Sequence, residues 1–398
     1  MKKAEASSLK SKSGSLLTIA LVVFIDLLGF GIVIPILPYY AKQFGSSAWT
    51  LGLLMASYSF FQFLCAPLWG RLSDHIGRKP VLMASIFGGA LSLLLMGFAH
   101  SITWLFVGRI FAGLCAANIS TAYAYVADIT DEKDRTKGMG IIGAGFGMGF
   151  IFGPAIGGWL SKYGYPTPFF FGAALSALNL ILAAWILKEP KMAAIERSAN
   201  RSKRFDWGAT AKVLSNPKRQ LGVSLFFLLT FAVTQMEVSF AYYMNRYFGY
   251  SAHEAGMLLA VMGIIMILIQ GGLIGRLSKK FGENALIMTG FFLCSGALAI
   301  FASTHSLQLN IAMLMMLSVG HGILHPSLSS FTSKASSAAD HGATMGVFQS
   351  AGSLARVVGP PCAGWLFDRV NPSAPFMFGA MVLALGLSKT LFTAALKK

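Results

Sequence analysis

Six ionisable side chains lie inside long apolar stretches of this 398-residue chain, where each costs a few kcal/mol or more to hold in hydrocarbon. They are Asp26, Arg109, Glu237, His321, His325 and Arg356. Asp26 and Glu237 are the only carboxylates clearly within such stretches. Burial favours the protonated form of a carboxyl group, so that it loads and releases protons near neutral pH, and a nearby arginine opposes this. The pattern predicts that these six residues form a proton-coupling group.

Other interpretations of the same residues stay open. The two carboxylates also fit static hydrogen-bonding partners, or a substrate-binding role without protons. Arg109 could modulate the pKa of a neighbouring carboxylate, or it could be one half of a buried structural ion pair. His321 and His325 share one helix face, but a core histidine with satisfied hydrogen bonds is the more common case.

The composition identifies the elements that must position these groups. The chain is 55% hydrophobic and 12% charged, with a mean hydropathy of +0.64, whereas soluble proteins carry roughly 25% charged residues. A polytopic membrane protein is therefore expected. The net charge of +17 comes from Lys and Arg in short loops, which indicates topology and not nucleic-acid binding. The four cysteines lie far apart in apolar segments and predict neither a disulfide nor a metal site.

Apolar runs long enough to span a bilayer number twelve. They lie near residues 16–40, 49–70, 80–99, 103–127, 138–160, 168–187, 219–244, 254–275, 284–303, 307–331, 344–367 and 373–395. With both termini on one side, 25 Lys and Arg residues fall on that side and four on the other. The positive-inside rule then places both termini in the cytoplasm, and residues 1–15 form a retained tail and not a signal peptide.

A long polar linker at residues 188–218 divides the spans into two sets of six, at 16–187 and 219–398. The sets repeat each other. The sequence Gly-Arg-Leu-Ser recurs at 70–73 and 275–278, and Gly-Pro recurs at 153–154 and 359–360, with offsets of 205 and 206. We expect an all-α membrane protein of two pseudo-symmetric six-helix bundles, with substrate bound at their interface.

The loop between the second and third spans carries the spacing G-x-x-x-D-x-x-G-R-K, formed by Gly70, Arg71, Asp74, Gly77, Arg78 and Lys79. This loop resembles the signature loop of the major facilitator superfamily. The sequence around Arg109 resembles the fourth-helix motif of that superfamily, and the glycines of the fifth span resemble its antiporter motif. The first span, from Asp26 to Pro38, is very similar to that of tetracycline and fluoroquinolone exporters in the drug/proton antiporter-1 family.

A conformational switch is expected at this loop. Asp74 is suited to accept hydrogen bonds from a helix N-terminus across the cytoplasmic cleft, and Arg71 or Arg78 to reach Asp128 at the end of the fourth span. Such contacts would lock the outward-facing state. The second copy of the loop looks degraded, with Lys279 in place of Asp74 and Glu283 in place of Arg78, so the first copy should carry more of the regulation.

The fifth span carries glycines on one face that allow a neighbouring helix to approach closely, and a proline that permits a bend. The residues are Gly145, Gly149, Gly153, Pro154, Gly157 and Gly158. We expect this face to be a seam between the halves that opens and closes; plain helix packing is the alternative.

Aromatic residues and methionines suit a greasy cavity for flat, lipophilic cations, although most such residues are core or lipid-facing. The candidates are Tyr39, Tyr58, Phe61, Tyr123, Met236 and Phe240. Tetracycline exporters also place a His in the eighth helix and an Asp in the ninth, and both are missing here, which argues against a tetracycline–metal chelate. The glutamate of the seventh span instead resembles the fluoroquinolone and multidrug exporters.

These observations predict an inner-membrane secondary transporter that exports lipophilic cationic or zwitterionic small molecules in exchange for protons. The alternatives are an uptake symporter or facilitator for a metabolite such as a sugar, and a lipid or lysolipid flippase. No nucleotide-binding loop, metal cluster or nucleophile–base pair is evident, so an enzyme is not expected. The expected partners are a small molecule, protons and the bilayer, with no cofactor and no nucleic acid, and the transporter is expected to be a monomer.

Overall fold

The structure is a computed structural model that describes residues 2–130, 132–190, 207–336 and 340–395. The chain forms two compact units. The first comprises residues 1–40 and 60–203, and the second comprises residues 41–59 and 204–398. The start of the second predicted span therefore groups with the C-terminal part of the chain.

The N-terminal part of the chain is helical throughout its described residues. Its helices are α1 (Lys2–Gln43), α2 (Ala48–Ile76), α3 (Arg78–Gly97), α4 (Ile102–Cys115), α5 (Asn118–Ile129), α6 (Glu132–Leu160), a 3₁₀ turn (Ser161–Tyr163) and α7 (Pro166–Ile186). Within the first unit, α3 packs against α4, α5 and α7. The basic tail is the beginning of α1, because that helix starts at Lys2.

The C-terminal part of the chain has a corresponding series of helices. These are α8 (Trp207–Ser215), α9 (Pro217–Phe248), α10 (Ala252–Leu268), a π-helical segment (Ile269–Leu273), α11 (Ile274–Ser303), α12 (Leu307–Lys334), α13 (His341–Arg369) and α14 (Ala374–Ala395). The main pairs are α11 with α12, α9 with α13, and α14 with both α9 and α11. The short α8 lies in the linker, of which residues 191–206 fall outside the described residues.

All twelve predicted spans fall on helices. In the described ranges, nine helical stretches are long and apolar enough to cross a membrane. One of them, 252–303, contains both the eighth and ninth predicted spans, because Gly282 reverses the chain inside α11 at a φ of 76°. Large apolar side chains such as Trp185 (86% exposed) and Leu17 (72% exposed) point outward, as a hydrocarbon solvent requires. The protein is a multi-pass, all-α membrane protein, as predicted.

The glycine face of α6 packs against α1, inside the first unit. A Cβ atom at Gly153 would lie 2.6 Å from the Cα of Gly31, and one at Gly157 would lie 2.5 Å from the Ile32 carbonyl oxygen. Gly149 approaches Leu27 in the same way. The close backbone approach was predicted correctly, but its place was not. The expected seam between the halves is a contact between two helices of one unit, since α1 supplies the facing glycine.

Replacing Gly153 by alanine is expected to destabilise the protein by about 1–3 kcal/mol, because the added methyl group meets backbone atoms that cannot rotate away. Gly89 is the matched control. It also lies inside a helix, but a Cβ there would meet nothing within 4 Å, so Gly89→Ala should leave stability unchanged or slightly raised. Thermal unfolding of both variants in detergent tests this, and equal unfolding temperatures would contradict the packing.

Candidate functional sites

Asp26 lies in α1 of the first unit, inside a membrane span, and is half-buried. The Nδ2 atom of Asn118 donates a hydrogen bond to its carboxylate Oδ2. Asn118 is the first residue of α5, directly after a break that separates α4 from α5. The sequence predicted one continuous span here, so neither this break nor the role of Asn118 was foreseen. Arg109, which was expected to tune a carboxyl group, is 6% exposed within α4.

A cluster of charged and aromatic groups surrounds Glu237 in the second unit. Glu237 of α9 and Arg356 of α13 interact electrostatically, and Arg356 also interacts with His325 of α12 and with Tyr58 of α2. The rings of His321 and His325 lie 6.0 Å apart and nearly perpendicular. All five side chains keep partial exposure. The structure therefore brings together four of the six ionisable residues that the sequence singled out.

Aromatic packing fixes the position of His325. Its ring meets the edge of Phe226 at a centroid distance of 5.5 Å, and Phe226 is stacked on Phe348 at 3.9 Å. Phe348 is fully buried and Phe226 is 2% exposed. His325 therefore packs against the buried Phe226–Phe348 pair and also interacts with Arg356 of the charged cluster.

The signature loop is shorter than its sequence suggests, because α2 extends to Ile76 and α3 begins at Arg78. Gly77 alone reverses the chain, with a φ of 106° that favours glycine. The guanidinium of Arg78 forms ion pairs with Asp74 at 2.6 Å and with Asp128 at 2.8 Å. Of the two arginines considered, Arg78 therefore reaches Asp128, whereas Arg71 is exposed.

The start of α3 is capped by Glu189, which the sequence analysis did not identify. Its two carboxylate oxygens accept the backbone N–H groups of Arg78 and Lys79, at 2.7 and 2.8 Å. The Lys79 Nζ atom donates to the Ala184 carbonyl oxygen at 2.7 Å. The carboxylate of Asp74 pairs with Arg78, and its expected hydrogen bonds to a helix N-terminus across the cytoplasmic cleft stay a prediction. Glu189 caps α3 because the chain after α7 returns to this end of α3.

Glu189→Ala is expected to lower stability by about 1 kcal/mol, within the range for losing a helix N-cap. The loss should be local, since the carboxylate binds two amides of one helix end. Hydrogen exchange is expected to accelerate at the amides of Arg78 and Lys79 and to stay unchanged at the far end of α3, near Gly97. Unaltered exchange at the first two amides would contradict the cap.

The second copy of the loop keeps an ion pair with its charges exchanged. Gly282 adopts a φ of 76°, like Gly77. Glu283, at the position that matches Arg78, forms an ion pair with Lys334 at 2.7 Å, and Lys334 stands 206 residues after Asp128. With Lys279 at the position of Asp74, the charge sign is reversed at all three places. Because Lys334 is 71% exposed, solvent screens this pair more than the pair of Arg78 and Asp128. That the first copy carries more of the regulation stays a prediction.

A second carboxylate cap lies at the start of α2, inside the second unit. The carboxylate of Asp368, near the end of α13, accepts the N–H groups of Ala48 at 3.2 Å and of Trp49 at 2.8 Å. The residues are more than 300 positions apart in the sequence, so no local pattern pointed to them. Nearby, the Lys42 Nζ atom donates to the Asn245 side chain at 2.6 Å.

The proposed cavity residues differ in their surroundings. Tyr39 is 5% exposed and stacks on Tyr165, with ring centroids 6.4 Å apart. Met236 and Phe240 are 5% and 2% exposed. Tyr58 and Phe61 are partly exposed, and Tyr123 is 37% exposed. Their role in substrate binding stays a prediction.

Two helical units with recurring sequence features, membrane spans and ionisable groups inside those spans define a polytopic membrane transporter. The family model of the Major Facilitator Superfamily matches residues 19–360 and 238–397. The chain belongs to the major facilitator superfamily, which consists of transporters and not of enzymes, as the sequence predicted.

Two relatives show which branch of the superfamily the chain is similar to. It is 30% identical over 374 residues to Multidrug resistance protein 2 of Bacillus subtilis (strain 168), covering 93% of this chain and 92% of that protein. It is 31% identical over 355 residues to the class C tetracycline resistance protein of Escherichia coli, covering 87% of this chain and 88% of that protein. These matches confirm the predicted resemblance to multidrug and tetracycline exporters.

A solved structure supports the fold. The human organic anion transporter MFSD10 (TETRAN) matches with a TM-score of 0.72, covering 95% of this chain and 99% of that one. At 24% sequence identity, this likeness shows the shared fold alone.

Proposed function

We propose that this transporter exports lipophilic cationic or zwitterionic small molecules in exchange for protons. The observation that carries the proposal is the placement of carboxyl groups inside membrane spans, Asp26 in the first unit and Glu237 in the second. Both side chains are half-buried. The names of the multidrug-resistance and tetracycline-resistance relatives support a drug-like substrate.

The physical basis of exchange is competition for negative charge. A proton on a carboxylate and a cationic substrate beside it satisfy the same charge, so binding of one disfavours the other. In the second unit, Arg356 offers Glu237 a permanent counter-charge, and the imidazole of His325 lies near enough to Arg356 to respond to its field. Glu237, Arg356 and the two histidines thus form a site whose proton content changes with the substrate.

We place the protein in the inner (cytoplasmic) membrane as a monomer, with both termini in the cytoplasm. The 25 to four distribution of Lys and Arg supports this topology. We assign the transport halves to residues 16–187 and 219–398, with 188–218 as the connecting linker. The loop around Gly77 and its charge-reversed counterpart around Gly282 are the proposed switch regions.

Substrate-driven proton release from proteoliposomes tests the proposal. A pH-sensitive dye inside the vesicles reports protons while substrates are added from a panel of quaternary cationic dyes, fluoroquinolones, a nucleoside, a sugar and a lysolipid. Proton movement driven by the cationic dyes or fluoroquinolones supports the exporter. Movement of the sugar or nucleoside without those drugs would favour metabolite uptake, and movement of the lysolipid alone would favour lipid flipping.

A further inference from the structure

The backbone groups at the break between α4 and α5 are hydrogen-bonded. The N–H group of Ala117 donates to the Cys115 carbonyl oxygen at 2.8 Å, which makes a tight turn at Ala116. The hydroxyl of Ser85, from α3, accepts the same Ala117 N–H at 2.9 Å and donates to the Cys115 carbonyl. Ser85 is 1% exposed. The break is therefore a defined structure, and it fixes the position at which α5 begins.

The break places Asn118 against Asp26. Asn118 is the first residue of α5 and therefore lies at the positive end of the helix dipole. Its Nδ2 atom donates to the Asp26 carboxylate. Its Oδ1 atom is buried and has no hydrogen-bond partner among the described residues. A buried amide oxygen without a partner costs the desolvation of an acceptor.

The unused oxygen has a partner when Asp26 carries a proton. A primary amide can donate through nitrogen and accept through oxygen at the same time. An ionised Asp26 needs only the donor, whereas a protonated Asp26 offers an O–H group that the Oδ1 atom can accept. Asn118 thus fits both protonation states of one carboxyl group without any change in the backbone.

We propose that Asn118 is a positioning residue that sets the proton affinity of Asp26, with Ser85 holding the helix break that aims it. This assignment deepens the proposed proton exchange and rests on it for its physiological meaning. Asn118 does not itself carry the proton. Its Nδ2 atom donates a hydrogen bond to the ionised carboxylate, and its Oδ1 atom accepts a hydrogen bond from the O–H group of the protonated acid, so that loading and release occur at one fixed geometry.

The other groups around Asp26 do not supply this function. Residues of α3, α6 and α7 that approach α1 within about one turn of Asp26 include Leu93, Gly145, Gly149, Ser176 and Asn179, and none of these five titrates. Tyr125 packs in the same core but donates its hydroxyl to the Lys188 carbonyl at 2.6 Å. The charged side chain of α4, the helix before the break, is Arg109.

Asn179 offers a matched control. It is fully buried, and its Nδ2 atom donates to the Val22 carbonyl oxygen of α1 at 2.9 Å, one helical turn before Asp26. Its Oδ1 atom also has no partner in the described part of the chain. Asn179→Leu therefore removes an asparagine hydrogen bond to the same helix without touching the carboxyl group.

The test is an infrared pH titration of the protonated carboxyl band that disappears in Asp26→Asn. Asn118→Leu is expected to move the midpoint of this band upward by about one to two pH units, because the charge-assisted bond that the ionised form loses is stronger than the neutral bond that the protonated form loses. Asn118→Asp should move it in the same direction through repulsion, and it keeps the proposal testable if the leucine variant does not fold. Asn179→Leu should leave the midpoint unchanged while lowering the unfolding temperature.

Two results separate the assignment from the proposed function. Unchanged midpoints in both Asn118 variants, or an equal shift in Asn179→Leu, would overturn the role of Asn118. If the Asn118 variants shift the band but the wild-type protein moves no protons with any substrate, proton exchange is rejected and the pairing of Asn118 with Asp26 stands.

Discussion

Asp26→Asn is expected to reduce substrate-driven proton release to the level of protein-free vesicles. Asparagine keeps the size of the side chain and accepts or donates hydrogen bonds, but it cannot hold an exchangeable proton. In the described spans of the first unit, no second carboxylate stands ready to replace Asp26, because Asp74 and Asp128 at the helix ends are engaged by Arg78. We expect Glu237→Gln to have the same effect, since Glu237 is a carboxylate inside a membrane span of the second unit.

Substrate binding should survive these substitutions better than coupling does. The affinity for a cationic dye, measured by fluorescence, is expected to change by less than about tenfold, or 1.4 kcal/mol. Glu254→Gln is the matched control, because Glu254 is exposed and its capping box at the start of α10 accepts glutamine. This control should release protons like the wild type. Full proton release in both Asp26→Asn and Glu237→Gln would show that neither carboxyl group couples transport to protons.

Reversing the charge of Arg78 alone is expected to destabilise the protein by several kcal/mol and to abolish transport. Arg78→Glu places a carboxylate against Asp128, and both side chains of the present pair are only 13% and 11% exposed. Two like charges with so little access to water leave an uncompensated burial cost. Thermal unfolding and dye transport measure the two effects.

The combined variant Asp74→Lys, Arg78→Glu, Asp128→Lys should recover most of the lost stability. It reproduces the signs at Lys279, Glu283 and Lys334, where the second unit already holds an ion pair. The corresponding reversal Glu283→Arg is expected to cost less than about 1 kcal/mol, because Lys334 is 71% exposed and solvent screens the pair. If the triple variant is no more stable than Arg78→Glu, the two loops are not equivalent in geometry.

The periodic features of the sequence were sufficient to predict the membrane fold. Apolar runs of bilayer length and the constant offset between repeats depend only on local composition. All twelve predicted spans therefore fall on helices, and ten of them lie in the nine stretches of the described ranges that are long and apolar enough to cross a membrane. The contact of Arg78 with Asp128 also followed from a recognisable motif. These predictions needed no knowledge of which helices are neighbours.

The contacts that the sequence did not predict join residues far apart along the chain. The amide of Asn118 reaches Asp26 across 92 positions, and Glu189 reaches the start of α3 across more than 100. The glycine face around Gly153 was predicted to lie between the halves for the same reason. A row of glycines indicates that another helix approaches closely, but it does not indicate which helix. The ion pair of Glu283 with Lys334 was not predicted, because Lys334 lies outside the loop motif.

The most direct test of proton exchange is the direction in which substrate accumulates under an imposed pH gradient. Proteoliposomes are prepared with equal concentrations of a permanently charged quaternary dye on both sides and with the membrane potential clamped, so that ion trapping does not contribute. Proton exchange predicts accumulation of the dye in the acidic compartment, and loss of that accumulation in Asp26→Asn. Accumulation in the alkaline compartment would show symport, and equal concentrations throughout would show a facilitator; either result would contradict the account.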